Sequence, residues 1–254
     1  MSQTSSPDSR LRALLAVQER ARSFSGWSFD DVRVSFPNGR EPWDYVADAR
    51  ALLRRASAVV DLGTGGGERF AEMLEGGCPA RLVATEQWHV NAPVARDGLA
   101  SLGVRVVRAD SLRLPFRDGS FDLVLSRHEA VEPAEVDRVL RPGGTFLTQQ
   151  VFASWQELRQ FFPRQAVHPR HEETYRDWFE QAGYALTQRR HRYQAVYASL
   201  EDLAVNLLVA PWEIPGLDVE EDFEALLAVE RELGTGAGIP LTECRYLLTA
   251  QKPG

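Results

Sequence analysis

Three acids stand at the ends of largely apolar, β-branched runs: Asp61 after Val59-Val60, Glu86 after Leu82-Val83-Ala84-Thr85, and Asp110 after Val104–Ala109. The first opens Asp61-Leu62-Gly63-Thr64-Gly65-Gly66-Gly67, and a helical pattern begins at once with Glu68-Arg69-Phe70. A strand, a tight turn and a helix N-terminus in that order aim backbone amides and the helix dipole at a ligand. The glycines allow positive φ and close approach. Glu86, 25 residues past Asp61, has the chemistry to accept both hydroxyls of a ribose. A nucleotide-type cofactor site is one reading of this turn; a strand-to-helix turn without a ligand is the other.

Spacing narrows the first reading. The dinucleotide fingerprint needs a third glycine three residues past the second, and Glu68 stands there after Gly65. A phosphate-binding Walker loop needs Gly-Lys-Ser/Thr, and the chain's single lysine is Lys252. Other reactive side chains are scattered. Ser126-Arg127-His128-Glu129 follows an apolar run, and His128 is the best base there because an imidazole titrates near neutrality. His168, His171 and Glu172 lack the His-Glu-x-x-His spacing and sit before a helix, so solvated surface or helix capping is expected and no metal site. Arg189-Arg190-His191-Arg192 reads either as contacts to an anionic substrate or as alternating exposed strand residues.

The elements that must hold these residues follow from periodicity. Leu11, Leu14, Leu15 and Val17 predict a helix over 9–23, and a second covers 42–56 with Pro42 near its first turn. Between them lies an aromatic, turn-rich segment from Phe24-Ser25-Gly26-Trp27-Ser28-Phe29 to Trp43 and Tyr45. Those aromatics either pack a cap onto the sheet or, at Trp43 or Tyr45, line a substrate pocket. From Val59 strands and helices alternate, which implies a parallel sheet. Strands are expected at 58–62, 82–86, 104–110, 121–126 and 145–151, with helices at 67–76, 90–102 and 133–140. Further on come helices at 155–162 and 173–182, a sixth strand within 184–197, helices at 199–208 (N-capped by Ser199) and 219–233, and a last strand at 241–251.

Five stretches together resemble the class I S-adenosylmethionine-dependent methyltransferases. They are Asp61-x-Gly-x-Gly-x-Gly67, Glu86, Asp110-Ser111-Leu112, Phe121-Asp122-Leu123-Val124-Leu125-Ser126 and Leu140-Arg141-Pro142-Gly143-Gly144. They cover about 58–152, and the ubiquinone-biosynthesis-like, type 11 branch is nearest. The resemblance implies a doubly wound α/β fold with a seven-stranded, mostly parallel sheet whose last strand is antiparallel. Residues 1–57 are then an N-terminal helical cap and 58–254 the Rossmann-like domain, with a helical insertion at 199–240 as lid, partner surface or edge cover. S-adenosylmethionine is the implied cofactor and S-adenosylhomocysteine the product. Asp61, Gly63, Thr64, Gly65 and Gly67 form its turn, and Glu86 and Gln87 its ribose side. Asp110, Ser111 and Leu112 face its adenine, and Ser126 and Arg127 lie near the transferable methyl. Trp88 packs on the adenine or in the core.

Composition sets the remaining bounds. A net charge of −7 gives no general attraction to a phosphate backbone, so a nucleic-acid substrate is disfavoured. Two cysteines, Cys78 and Cys244, are too few for a disulfide framework or a cysteine zinc site, which fits a reducing compartment. No apolar run reaches 18 residues and the first residues lack the pattern of a signal peptide, so a cytoplasmic protein without a membrane anchor is expected. Asn/Asp-Pro-Pro-Tyr/Phe is missing after the fourth strand, which disfavours amino methylation of DNA bases. The expected activity is methyl transfer to a small molecule, with RNA methylation and cofactor binding without catalysis as rivals. Monomer and homodimer are both compatible.

Overall fold

The computed structural model describes residues 6–26, 31–75, 77, 79, 81–167 and 171–254. Trp27, Phe29, Cys78 and His168 lie outside the described residues.

The sheet has eight strands: β1 (Val34–Ser35), β2 (Ala58–Leu62), β3 (Arg81–Thr85), β4 (Arg105–Val107), β5 (Phe121–Arg127), β6 (Leu140–Val151), β7 (Ala185–Tyr197) and β8 (Ile239–Gln251). Their order is β1-β7-β8-β6-β5-β2-β3-β4. Pairings among β4, β3, β2, β5 and β6 are parallel, while β8 runs antiparallel to both β6 and β7. This is the predicted sheet with one addition. Val34 and Ser35 pair antiparallel with Tyr197 and Val196. They cover the free edge of β7, which would otherwise expose unpaired amides and carbonyls.

Helices are α1 (Pro7–Arg22), α2 (Tyr45–Leu53), α3 (Glu68–Leu74), α4 (Asn91–Leu99), α5 (Pro133–Val139), α6 (His171–Gln181), α7 (Leu200–Val209) and α8 (Phe223–Leu233). In α2 the Asp44 side chain accepts from the Ala47 amide at 3.1 Å and caps the helix. Pro42 therefore lies before the helix and not in its first turn. Residues 156–160 form a 3-10 turn, not an α-helix, entered through Trp155 at φ 54°.

Alternating residues of the strands feed opposite faces. Val60, Leu62, Val124 and Phe146 pack with Val136 and Phe179 on one face. Val59, Leu123 and Leu125 pack with Phe70, Leu99 and Tyr45 on the other. A third core joins Leu14 and Val17 of α1 to Leu203 and Leu207 of α7 and Val229 of α8. The first helix thus packs with the helices between β7 and β8, whereas α2 belongs to the layer of α3 and α4.

Candidate functional site

Between β2 and β5 the chain reverses its winding direction, and at such a switch point the turns beyond the strands' carboxyl ends diverge into a crevice. The glycine turn sits there. Gly63 (φ 63°), Gly65 (φ 63°) and Gly67 (φ 91°) are all left-handed. Two of them are required by space as well as by conformation. A Cβ on Gly67 would reach Leu99 Cγ at 2.7 Å, and one on Gly63 would overlap the Glu129 side chain. Gly67 serves helix packing; Gly63 serves the site.

Around the turn stand three buried or half-buried carboxylates. Asp61 is 5% exposed, and burial pushes its pKa up to about 7. Glu86 accepts from the Gly65 amide at 2.7 Å and the Trp88 amide at 2.8 Å, yet burial still raises it. Glu129 is pushed up to about 7, chiefly by burial and then by Glu86 and Asp110 against a hydrogen bond from Ser111. Asp110 itself accepts from the Leu112 amide at 2.8 Å, and Ser111 is buried. Trp88 and Leu112, the apolar residues next to Glu86 and Asp110, are 40% and 50% exposed. Gln87 is exposed, and the buried Thr64 hydroxyl sits beside the Asp61 carboxyl, where its hydrogen bond opposes the effect of burial. The structure therefore brings Asp61, Gly63, Thr64, Gly65, Glu86, Asp110, Ser111, Ser126 and Arg127 to one end of the sheet.

On the other side of the crevice, β5 ends in a sharp reversal. His128 takes φ 60° and donates its amide to the Gln149 carbonyl at 2.9 Å. The non-glycine left-handed residues among those described are His128, Ala153 and Trp155, all just past the carboxyl ends of β5 and β6. Left-handed non-glycine residues cost energy and concentrate at functional sites. The His128 side chain is accessible but recessed. Desolvation, then the charges of Arg127, Arg245 and Arg40, push its pKa well below the ordinary imidazole value.

Several residues that hold this wall carried weaker signals in the sequence. Gln150 donates to the Glu129 carbonyl at 2.6 Å, fixing the residue that covers Gly63. Trp43 Nε1 donates to Gln149 Oε1 at 2.7 Å, and the Tyr45 hydroxyl to the Ser126 carbonyl at 3.1 Å. Adjacent buried glutamines at the end of an apolar strand were the visible sign, since buried amides need partners. Asp122, by contrast, is structural: it accepts from the Ser57 and Ala58 amides and anchors the start of β2.

Comparison with known proteins bears on the same stretch. Residues 60–148 match the family model described as a methyltransferase domain. This region is a class I, type 11 methyltransferase domain. The chain is 30% identical over 132 residues to the ubiquinone/menaquinone biosynthesis C-methyltransferase of Cupriavidus metallidurans, covering 47% of this chain and 54% of that protein. It is 34% identical over 111 residues to the demethylmenaquinone methyltransferase of Deinococcus radiodurans, covering 40% and 46%. The chain thus spans about half the length of the curated relatives it matches. The YcgJ protein of Bacillus subtilis shares the fold at a TM-score of 0.58 and 17% identity, over 83% of this chain and 98% of that one. The methyl donor used by the methyltransferase family is S-adenosylmethionine.

The residues present fit that donor. Asp61, Glu86 and Glu129 around the glycine turn would repel a pyrophosphate and would accept a cationic sulfonium nucleoside with its ribose hydroxyls. Exposed Trp88 and Leu112 beside them offer flat apolar contact for an adenine. Among the described residues no cluster of metal ligands occurs, and no helix is long and apolar enough to cross a membrane.

Proposed function

We propose that this protein is an S-adenosylmethionine-dependent methyltransferase acting on a small acceptor in the cytoplasm. The observation that carries this reading is the ring of carboxylates on a left-handed glycine turn within a methyltransferase domain. The two curated relatives named above act on quinone precursors by their names, which favours a small molecule over RNA.

When bound, the donor supplies a methyl group on a sulfonium, open to in-line attack by an acceptor O, N or C. The chain's own residues do the rest. Glu86 would hold the ribose hydroxyls, Asp110 and Ser111 the adenine edge, and Asp61 with Glu129 the cationic end. Arg127, Tyr45 and Trp43 wall the space on the other side, where alignment and exclusion of water supply the rate. His128 is neutral at pH 7, so its imidazole is free to take a proton from the acceptor, but its lowered pKa makes it a weak base. Positioning carries most of the catalysis in this reading.

Calorimetry with S-adenosylhomocysteine tests the binding half. Micromolar-order binding is expected in the unmutated protein and none in Gly65→Arg, whose side chain would fill the turn. Transfer of labelled methyl into fractionated metabolites and not into RNA tests the other half. Labelled RNA, or no binding by the unmutated protein, overturns the proposal.

A further inference from the structure

A cleft of about 270 Å³ opens between residues 40–46 and the carboxyl ends of β5 and β6. Arg40, Arg69 and Arg127 line it, together with Trp43 and Tyr45. Two of the guanidiniums have carboxylate neighbours, Arg40 with Glu41 at 3.3 Å and Arg69 with Glu72 at 2.7 Å. The remaining acid of the lining, Asp44, is engaged as the cap of α2. Arg127 has no carboxylate within ion-pair distance among the described residues. The charge of Arg127 reaches Asp61, but the two form no ion pair. Burial and then the charge of Arg69 push Arg127 itself down to about 10. A half-buried guanidinium without a partner is costly unless a ligand supplies the opposite charge.

The aromatic wall specifies the remainder of that ligand. The Trp43 indole N–H is used by Gln149 and the Tyr45 hydroxyl by the Ser126 carbonyl. Both are buried in the core, and the Arg189 guanidinium lies over the indole at 5.5 Å, so they offer the cleft an apolar floor and no further hydrogen-bonding group. A guanidinium offers the planar fork that a carboxylate matches with two parallel hydrogen bonds.

Resting on the methyl-transfer reading, we infer that the methyl acceptor is a small carboxylic acid, its apolar body on the floor of Trp43, Tyr45 and Val46 and its carboxylate on Arg127. The site is then polarised: carboxylates on the glycine-turn side for a cationic donor, guanidiniums on the other for an anionic acceptor. The donor's own amino-acid carboxylate shares this chemistry, and the experiment separates the two.

Benzoate, 4-hydroxybenzoate and cinnamate, each beside its uncharged amide, are titrated by calorimetry into the full-length protein with and without S-adenosylhomocysteine. At least one acid is expected to bind about tenfold or more tighter than its amide. Arg127→Gln should remove that difference, Arg127→Lys should keep part of it, and affinity for S-adenosylhomocysteine should change by less than about threefold. Arg127→Gln should also melt no lower than the unmutated protein without ligand, because it removes an unpaired charge; a purely structural arginine would lower the melting temperature. The inference is overturned if no acid is preferred to its amide, or if Arg127→Gln weakens S-adenosylhomocysteine as much as it weakens the acid. A preference for acids in a protein that binds no S-adenosylhomocysteine would sink the methyl-transfer reading and leave the anion site standing.

Discussion

At Asp61 and Glu129 the folded chain holds carboxyls near pKa 7 that titrate in the ordinary carboxylate range when unfolded, and Glu86 is raised too. The cause in each case is first of all burial, which penalises the charged form. Between about pH 4 and 7 the folded protein therefore binds more protons than the unfolded one, so these groups favour folding at the acid end and that contribution is lost as pH rises. For a chain of this size a change of 1 kcal/mol moves the melting temperature by about 2–4 °C. The ligand-free protein should melt several degrees lower at pH 8 than at pH 5.5, and Asp61→Asn should flatten the slope. A melting profile that is level or rises over this range in the unmutated protein would show that the acids are not buried as described. The same groups explain why a cation is the suitable occupant: a positive ligand stabilises the ionised carboxylates in place of the hydration that burial removes.

The elements of the cofactor half were legible because each strand is bounded by an acid or a glycine turn. Strands expected at 58–62, 82–86 and 121–126 form at Ala58–Leu62, Arg81–Thr85 and Phe121–Arg127, and the strand expected at 145–151 lies within Leu140–Val151. What periodicity could not supply came from long-range pairing. The two-residue β1 carries no period of its own and exists because β7 offers a free edge. Residues 156–160 have a helical pattern, but a left-handed Trp155, whose amide is tied to the Thr242 carbonyl at 2.9 Å, leaves only a 3-10 turn. Likewise, no local signal said that Arg127, Tyr45, Trp43 and Gln149 meet, since 43–45 and 126–149 are joined only by the fold. The start of α2 is where this joint is most exposed to test. Asp44→Ala removes a helix cap worth about 1 kcal/mol. Denaturant unfolding should show that loss with an unchanged m-value, and an unaltered midpoint would mean the cap hydrogen bond contributes nothing. Because the cap lies in the cleft wall, binding of the preferred acid should weaken as well.

Across the whole molecule, the segment that connects α1 to α2 touches both halves of the site. At one end the Gly26 amide donates to Asn91 Oδ1 at 2.8 Å, and a Cβ there would meet Glu68 Oε1 at 2.6 Å, beside the glycine turn. Further along, Val34 and Ser35 pair with β7 at the far edge of the sheet, and the Arg33 amide and guanidinium reach Asp202 at the start of α7. Residues 40–46 then return to the cleft. This run therefore ties the layer of α1, α7 and α8 to the layer of α2, α3 and α4, and it passes beside the carboxyl ends where the ligands are expected. Val32, Val34 and Phe36 anchor it to the third core, while its exposed stretches around Arg33 and Arg40 should open at lower cost than the packed cores beneath them. Arg33 and Arg40 are exposed, which makes them markers of that opening. Limited trypsin digestion should cut the free protein after one or both and should slow when S-adenosylhomocysteine is added, because a ligand that binds only the closed arrangement withdraws the open one. Equal cleavage rates with the ligand bound at saturation, checked by calorimetry on the same sample, would show that this segment does not move with the site.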